Sequence, residues 1–278
     1  MEEKITPEHR TIIIDGMRIH VQLAGFGQPL ILIHGLGGPL MWQRVIEPLS
    51  RDFRVVVVDL PGFGESECLK EYYSTVQYAE FLIHFLNALN IERATLVGIS
   101  YGAQIAAHVA HQHPDRVEKL VLISSTGLMT YTALMHITIF WVIFSFIAKH
   151  IVLKSKWLTC GIARLSFYDI KSRPKDLCDK YYAQLSLTGK RDALLNGMRN
   201  SITKDSTFCT KLSELRTPTL IVWGKQDRTV PSKYASRFQQ CIPHSAVRIL
   251  RDCAHSLPLE KPQELCDAIV QFIKSETV

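Results

Sequence analysis

The sequence lacks the motifs that mark a metal, redox or dinucleotide site. It has no His-Glu-x-x-His motif and no Cys-x-x-Cys pair, and the glycine run at residues 35–38 does not have the Gly-x-Gly-x-x-Gly spacing. Nucleic-acid-binding motifs, internal repeats and low-complexity tracts are also missing. We therefore expect a protein that uses no cofactor and no metal and that binds no nucleic acid.

Apolar runs long enough to span a bilayer are missing too. The most apolar segment, Leu134–Ala148, is shorter than the roughly 20 residues that a spanning helix needs. A helix that is apolar all round must be buried against something. It is either a lid helix that packs on the core and lines an apolar pocket, or a segment that enters a membrane interface with the help of Lys149, Lys154 and Lys156.

Paired cysteine spacings are missing among seven scattered cysteines, an odd number. We expect free thiols in a reducing compartment. Residues Met1–Arg10 are polar and do not contain the apolar segment of a signal peptide. The sequence thus predicts a cytoplasmic protein, with peripheral membrane association as an added hypothesis.

Charge is unevenly distributed along the 278 residues, whose net charge is +6. Residues 126–216 contain 14 Lys and Arg but six Asp and Glu, whereas residues 1–125 contain 10 and 14. The basic segment is either a solvated surface or a surface that attracts an anionic partner, such as a phospholipid membrane, an acidic carrier protein or a carboxylate substrate.

Strand and helix patterns alternate through most of the chain. An Asp-Gly turn at residues 15–16 predicts a hairpin, and continuous apolar runs predict parallel strands buried on both faces. The predicted strands after the hairpin are Leu30–Ile33, Val55–Leu60, Thr95–Ile99, Val117–Ile123, Pro218–Trp223 and Val247–Leu250. Between about Ser124 and Ser213 the alternation stops and the pattern is mostly helical. We interpret residues 125–213 as an insertion over the carboxyl edge of a sheet formed by residues 1–124 and 214–278.

Ser100 is the strongest candidate for a catalytic residue. It lies in Gly98-Ile99-Ser100-Tyr101-Gly102, which follows an apolar strand and opens a helix. This context places the serine on a sharp strand-to-helix turn, where its hydroxyl is exposed at the sheet edge and its neighbours must be small. The alternative is a helix-capping serine in a glycine turn.

A serine hydroxyl needs a base, and position selects His255 among 11 histidines. His255 lies in the loop between the last strand and the last helix, at the same sheet edge as Ser100. Asp227 follows the preceding strand and would orient the imidazole. Asp252 is closer to His255 in sequence, but a separation of three residues suits a local turn better than the hydrogen bond that orients an imidazole. Tyr101 and Leu36 would supply the two backbone N–H groups that stabilise the oxyanion.

Taken together, these residues resemble the lid-bearing α/β-hydrolase superfamily of esterases and lipases over essentially the whole chain. The shared landmarks are residues 34–38, 59–66, 98–102, 218–227, and His255 followed by Glu260-Lys261-Pro262. The resemblance implies an eight-stranded, mostly parallel α/β sheet with helices on both faces and a helical lid inserted after the sixth strand. It also implies that Asp59 and Gly62–Ser66 are structural. A serine at position 100 argues against the dehalogenase and epoxide hydrolase branches, which use aspartate there.

Three functions remain open at this point. The first is hydrolysis of carboxylic esters with hydrophobic acyl chains, such as monoacylglycerols, lysophospholipids or acyl-carrier esters, through an acyl-enzyme. The second is carbon–carbon hydrolysis of ring-cleavage diketones, for which the resemblance implies the same three residues. The third is a non-catalytic binding role.

Overall fold

The structure, a computed structural model, describes residues 5–68, 73–129, 138–202 and 207–275. At its centre is an eight-stranded sheet of order β1-β2-β4-β3-β5-β6-β7-β8. β2 pairs antiparallel with β1 and β4, and the other neighbours are parallel, which confirms the predicted sheet. The strands are β1 (Glu8–Ile14), β2 (Met17–Ala24), β3 (Pro29–Ile33), β4 (Arg54–Val58), β5 (Ala94–Ile99), β6 (Val117–Ile123), β7 (Thr219–Gly224) and β8 (Ala246–Leu250).

The central strands are buried on both faces, which explains their continuous apolar sequences. In β4, Val55 and Val57 belong to one core cluster, whereas Val56 and Val58 belong to the cluster on the opposite face. Successive side chains of a strand point to opposite faces, so a strand covered on both sides must be apolar at every position.

Helices cover the two faces of the sheet, as expected. One face packs against α1 (Ile46–Ser50), α10 (Leu257–Glu260) and α11 (Pro262–Lys274), and the other against α2 (Thr75–Ala88), α3 (Tyr101–Gln112) and α9 (Lys233–Cys241). Ser74 caps α2 through a capping box with Gln77, in which each side chain bonds the other residue's backbone.

Between β6 and β7, the described residues contain helices and no strand. They are α4 (Thr138–Ile147), which continues into a π-helical turn at Ala148–Val152, α5 (Lys156–Arg164), α6 (Leu177–Ser186), α7 (Lys190–Ser201) and α8 (Phe208–Ser213). We call the described residues from Thr138 to Ser213 the helical insertion. The first residues of the apolar segment Leu134–Ala148 lie outside the described ranges. Of the helices in the described ranges, none has the length and apolar character needed to cross a bilayer.

The expectation of free thiols is wrong for four of the seven cysteines. Cys160 and Cys178 form a disulfide between α5 and α6, and Cys209 and Cys241 form one between α8 and α9. In both pairs the partners lie far apart in sequence and are brought together by helix packing, so spacing gave no sign of them. Disulfides persist in oxidising surroundings, so these two bonds do not support the predicted reducing compartment.

A thiol titration of the unreduced, denatured protein should therefore detect three reactive groups, from Cys68, Cys253 and Cys266. Prior reduction should expose all seven cysteines. Detection of seven thiols without reduction, in protein purified under air with rapid alkylation, would contradict the disulfide assignment.

Candidate active site

Ser100 lies at the sharp turn that the sequence predicts, between β5 and α3. Its backbone angles are φ 56° and ψ −119°, in a region that non-glycine residues rarely adopt. A Cβ atom on Gly98 would lie 2.6 Å from the backbone nitrogen of Ala103, and one on Gly102 would overlap the carbonyl oxygens of Ile33 and His34. The close approach of these segments requires glycine at both positions and holds the serine in its strained conformation.

His255 and Asp227 are paired at the same edge of the sheet. His255 Nδ1 lies 2.7 Å from Asp227 Oδ2, and both side chains are buried. The other carboxylate oxygen, Oδ1, accepts hydrogen bonds from the backbone N–H groups of Thr229 and Val230 at 2.8 and 2.9 Å. These bonds fix the carboxylate, so that it can hold the imidazole with its proton on Nδ1. Asp252, the neighbour in sequence, is exposed.

The hydrogen bonds among the described residues do not include one between the Ser100 hydroxyl and His255. Both residues follow strands whose carboxyl ends lie at one edge of the parallel sheet. Catalytic hydrogen bonds are often long in the absence of substrate and shorten when it binds. The structure therefore joins two of the three predicted residues directly and places the third at the same edge.

The backbone after β3 lies against the turn that carries Ser100. A Cβ atom on Gly35 would lie 2.9 Å from Ser100 Cβ and 3.3 Å from the backbone nitrogen of Tyr101. Leu36 follows Gly35 directly, so both predicted oxyanion donors, the N–H groups of Leu36 and Tyr101, belong to segments in contact with the serine. The space next to Ser100 is thus bounded by backbone on two sides.

His34 holds this loop in place, a role that the sequence did not indicate. Its Nδ1 donates to the carbonyl oxygen of Gly35 at 2.7 Å, and its Nε2 accepts from the N–H of Leu60 at 3.1 Å. The ring is fully buried, and burial lowers the pKa of His34 below 6.5. A second proton, on Nε2, would remove the lone pair that accepts the Leu60 N–H, so this arrangement of the loop next to Ser100 requires a neutral imidazole.

His34 should make the protein less stable in acid. Between its folded pKa and its unfolded value of about 6.5, the unfolded chain binds more protons, so the free energy of unfolding falls as pH decreases. We expect His34→Gln to lose less stability than the wild type between about pH 7.5 and about pH 5.5, measured by urea unfolding.

His20 provides a control of opposite sign. Its pKa is raised, first by its hydrogen bond to Asp59, so its contribution to stability is present in acid and is lost as pH rises through the folded pKa. His20→Gln should therefore lose more stability on acidification than the wild type. Equal pH slopes for both variants would count against these assignments.

Asp59 is structural in this arrangement, as the resemblance implies. Besides contacting His20, its Oδ2 accepts a hydrogen bond from the N–H of Glu65 at 2.9 Å, and its backbone oxygen accepts one from Ser66. The carboxylate thus holds the turn that follows β4 rather than the site at Ser100.

The helical insertion contacts residues next to Ser100. A Cβ atom on Gly197, in α7, would lie 2.6 Å from Leu36 Cδ2 and 3.6 Å from Tyr101 Cε1. Asn200 Nδ2, one turn further along α7, donates to the Tyr101 hydroxyl at 3.3 Å. Burial raises the pKa of Tyr101 to about 12, so the phenol stays neutral and serves as a fixed contact for the insertion.

Glu260 joins the insertion to the loop that carries His255. Its Oε2 accepts a hydrogen bond from the N–H of Ala254 at 2.9 Å, while its Oε1 accepts from the N–H groups of Tyr168 and Asp169 at 2.7 and 3.1 Å. The sequence indicated Glu260 as a landmark but gave no sign of this role, because its partners include residues about 90 positions away.

Glu260→Ala should lower kcat by up to about a hundredfold, because it releases the residue before His255, the predicted base, and small displacements of a base are costly. KM should change less, and Glu260→Gln, which keeps one acceptor oxygen, should restore part of kcat. Glu264→Ala, an exposed change in α11, is the matched control. Equal kinetics for the Glu260→Ala and Glu264→Ala variants would exclude a positioning role.

Among the described residues, no group of three or more His, Cys, Asp or Glu side chains is placed to hold a metal ion.

The sequence model of the alpha/beta hydrolase fold family matches residues 28–144 and 163–262, which include Ser100, Asp227 and His255. The chain belongs to the alpha/beta hydrolase family.

Relatives of this alpha/beta hydrolase differ in the bonds that their names specify. An uncharacterized hydrolase of Bacillus subtilis, YugF, is 30% identical over 98% of this chain and 100% of the relative. A pimeloyl-[acyl-carrier protein] methyl ester esterase of Vibrio atlanticus is 28% identical over 91% and 97%. A 2-hydroxy-6-oxo-6-(2'-aminophenyl)hexa-2,4-dienoic acid hydrolase of Metapseudomonas resinovorans is 29% identical over 95% and 90%.

Solved structures of other hydrolases share the fold of this alpha/beta hydrolase. A serine hydrolase involved in carbazole degradation has a TM-score of 0.81 at 25% identity, with 96% of this chain and 99% of the other covered. A bacterial membrane phospholipase A has a TM-score of 0.77 at 25% identity, with 96% and 86% covered.

Proposed function

We propose that this alpha/beta hydrolase cleaves carboxylic esters of hydrophobic acyl chains, with Ser100 as nucleophile, His255 as base and Asp227 as the residue that orients it. The observation that carries the proposal is the buried 2.7 Å contact between His255 and Asp227 at the sheet edge where Ser100 lies in its strained turn. A serine becomes nucleophilic when an oriented imidazole takes its proton, and the N–H groups of Leu36 and Tyr101 would bind the resulting oxyanion.

The proposed sequence of steps is acyl transfer in two stages. Ser100 Oγ attacks the ester carbonyl while His255 takes its proton and then returns it to the departing alcohol, which leaves an acyl-enzyme. Water, deprotonated by His255, attacks the acyl carbon, and the carboxylic acid leaves as Ser100 recovers its proton. Asp227 stays ionised throughout and stabilises the imidazolium.

We further propose that residues 125–213, which include the helical insertion, form a lid over a core of residues 1–124 and 214–278. Its support is the contact of α7 with Leu36 and Tyr101 and the apolar side chains that α4 turns inwards, where Trp141 is buried and Phe144 packs on the core. Such a cover would give the acyl chain an apolar surface and would exclude water from the reaction.

Carbon–carbon hydrolysis is the second candidate, because a relative of similar identity has a name that specifies a dienoic acid substrate. A panel of p-nitrophenyl esters from acetyl to palmitoyl, assayed beside a dienol ring-cleavage diketone, separates the two. We expect kcat/KM for the esters to rise with acyl length and the diketone to remain unhydrolysed. Turnover of the diketone alone would establish the second candidate, and no turnover of either class would favour a binding role.

A further inference from the structure

Exposed apolar side chains are concentrated in the helical insertion. Of the 14 large hydrophobic residues that are exposed in the described ranges, 10 lie between Ile143 and Leu187. Single exposed apolar residues are ordinary on protein surfaces, whereas a local concentration of them marks a surface that contacts an apolar partner.

The spacing of these residues shows that they form faces of helices. Ile143, Phe146, Ile147 and Ile151 follow one another at intervals of three, one and four residues along α4 and its π-helical extension, and each is at least 45% exposed. Residues three and four apart lie on the same side of a helix, so the four share one face. The opposite side, which includes Trp141 and Ala148, is buried.

Helix α5 continues the pattern next to a cluster of positive charge. Trp157 is 80% exposed and Leu165, two turns further on, is 63% exposed. An open cavity of about 430 Å³ lies between α5 and α6, and the side chains that line it include Trp157 and four cations, Lys156, Arg164, Arg173 and Lys175.

The cluster retains most of its positive charge. Asp179, the one acidic residue that lines the cavity, pairs with Lys156 at 2.7 Å. Among the described residues, no carboxylate lies within 4.0 Å of the charged nitrogens of the other three cations. The cavity therefore has the donors and the charge to bind phosphate groups, and Trp157 on its lining is an exposed apolar side chain that could enter an acyl layer.

We propose that the outer face of α4, α5 and the cavity beside α6 docks on the surface of an anionic phospholipid membrane. The cations bind lipid phosphates, while Trp157 and its apolar neighbours enter the interface, where the amphipathic indole ring is favoured. A soluble acidic protein is the weaker fit, since this face exposes large apolar side chains beside its cations.

Docking would bring the proposed hydrolase site close to the lipid. The residues after α5 are held to the His255 loop by the hydrogen bonds of Ser256 to Ser166, at 2.9 Å between backbone atoms, and by Glu260. The advantage for catalysis rests on the proposed function, because a membrane would supply hydrophobic esters to a hydrolase that cleaves them. The docking itself does not depend on it.

The test is sedimentation with vesicles, using full-length, disulfide-intact protein that carries Ser100→Ala, so that no lipid is hydrolysed. We expect binding to mixed phosphatidylcholine and phosphatidylglycerol vesicles that weakens with salt, and little binding to phosphatidylcholine alone. Arg173→Glu with Lys175→Glu should weaken binding about tenfold or more, since juxtaposed cations each contribute to attraction by anionic lipid. Trp157→Ala should weaken it without changing the salt dependence.

Lys233→Glu with Arg248→Glu is the matched control, because it changes net charge equally on exposed residues of α9 and β8. Both double variants, made in the Ser100→Ala protein, should keep the melting temperature of the Ser100→Ala protein. Equal binding by the two double variants, or equal sedimentation with both kinds of vesicle, would overturn the proposal. Binding by a protein that hydrolyses no ester would leave the docking surface standing and remove the proposed function alone.

Discussion

Ser100→Ala should lower kcat for the best ester by about 10⁶-fold, because no other group in the proposed mechanism can form the acyl-enzyme. The alanine keeps the backbone of the turn and the Leu36 and Tyr101 donors, so substrate binding should persist. A stable ester analogue should therefore bind the variant with nearly the wild-type affinity, measured by calorimetry. Loss of turnover with retained binding is the result expected of a nucleophile.

The matched control is Ser125→Ala, at the end of the neighbouring strand. Ser125 is also buried, and its hydroxyl donates to the carbonyl oxygen of Thr126 rather than to a reacting group. This variant should keep activity within about tenfold of the wild type, since it loses one neutral hydrogen bond. Substantial turnover by Ser100→Ala would assign the nucleophile elsewhere and end the proposed mechanism.

Asp227→Asn should lower kcat by about 10⁴-fold while leaving the fold intact. The asparagine oxygen can still accept the N–H groups of Thr229 and Val230, but its amide then faces His255 Nδ1 as a donor. The imidazole must accept that hydrogen bond, which moves its own proton to Nε2 and prevents it from taking the proton of Ser100. Thermal unfolding should change little.

Asp252→Asn separates this effect from a general change of charge near His255. Asp252 is the neighbouring carboxylate, and its replacement by asparagine removes the same charge from an exposed bend. Its kcat should remain near the wild-type value. A loss at Asp252 as large as the loss at Asp227 would show that charge, rather than orientation of the imidazole, is what the carboxylates supply.

The sequence predicted the architecture because its signals are local. Apolar runs marked the strands, and the glycines around Ser100 marked a turn whose shape depends on a few adjacent residues. Parallel strands end at a common edge, so Asp227 and His255 could be placed together from their positions after β7 and β8 alone. The pairing at 2.7 Å agrees with that inference.

The features that sequence patterns missed depend on distant contacts. The Cys209–Cys241 disulfide depends on how α8 packs against α9, and the roles of His34 and Glu260 depend on backbone groups of other segments. Their signals were present as a histidine before a glycine run and a glutamate after His255, the proposed base, yet neither pattern specifies the partner. Both residues bind N–H groups that the fold, not the local sequence, brings within reach.

The two disulfides constrain different helices of the helical insertion. Cys209–Cys241 fastens α8 to α9, so α8 is anchored to the core, whereas Cys160–Cys178 clamps α5 to α6. A displacement of the insertion would therefore move α5 and α6 together, whereas α8 would stay with the core. Reduction of Cys209–Cys241 would remove the covalent link between α8 and the core, and reduction of Cys160–Cys178 would let α5 and α6 move separately, so each cysteine pair limits a different motion.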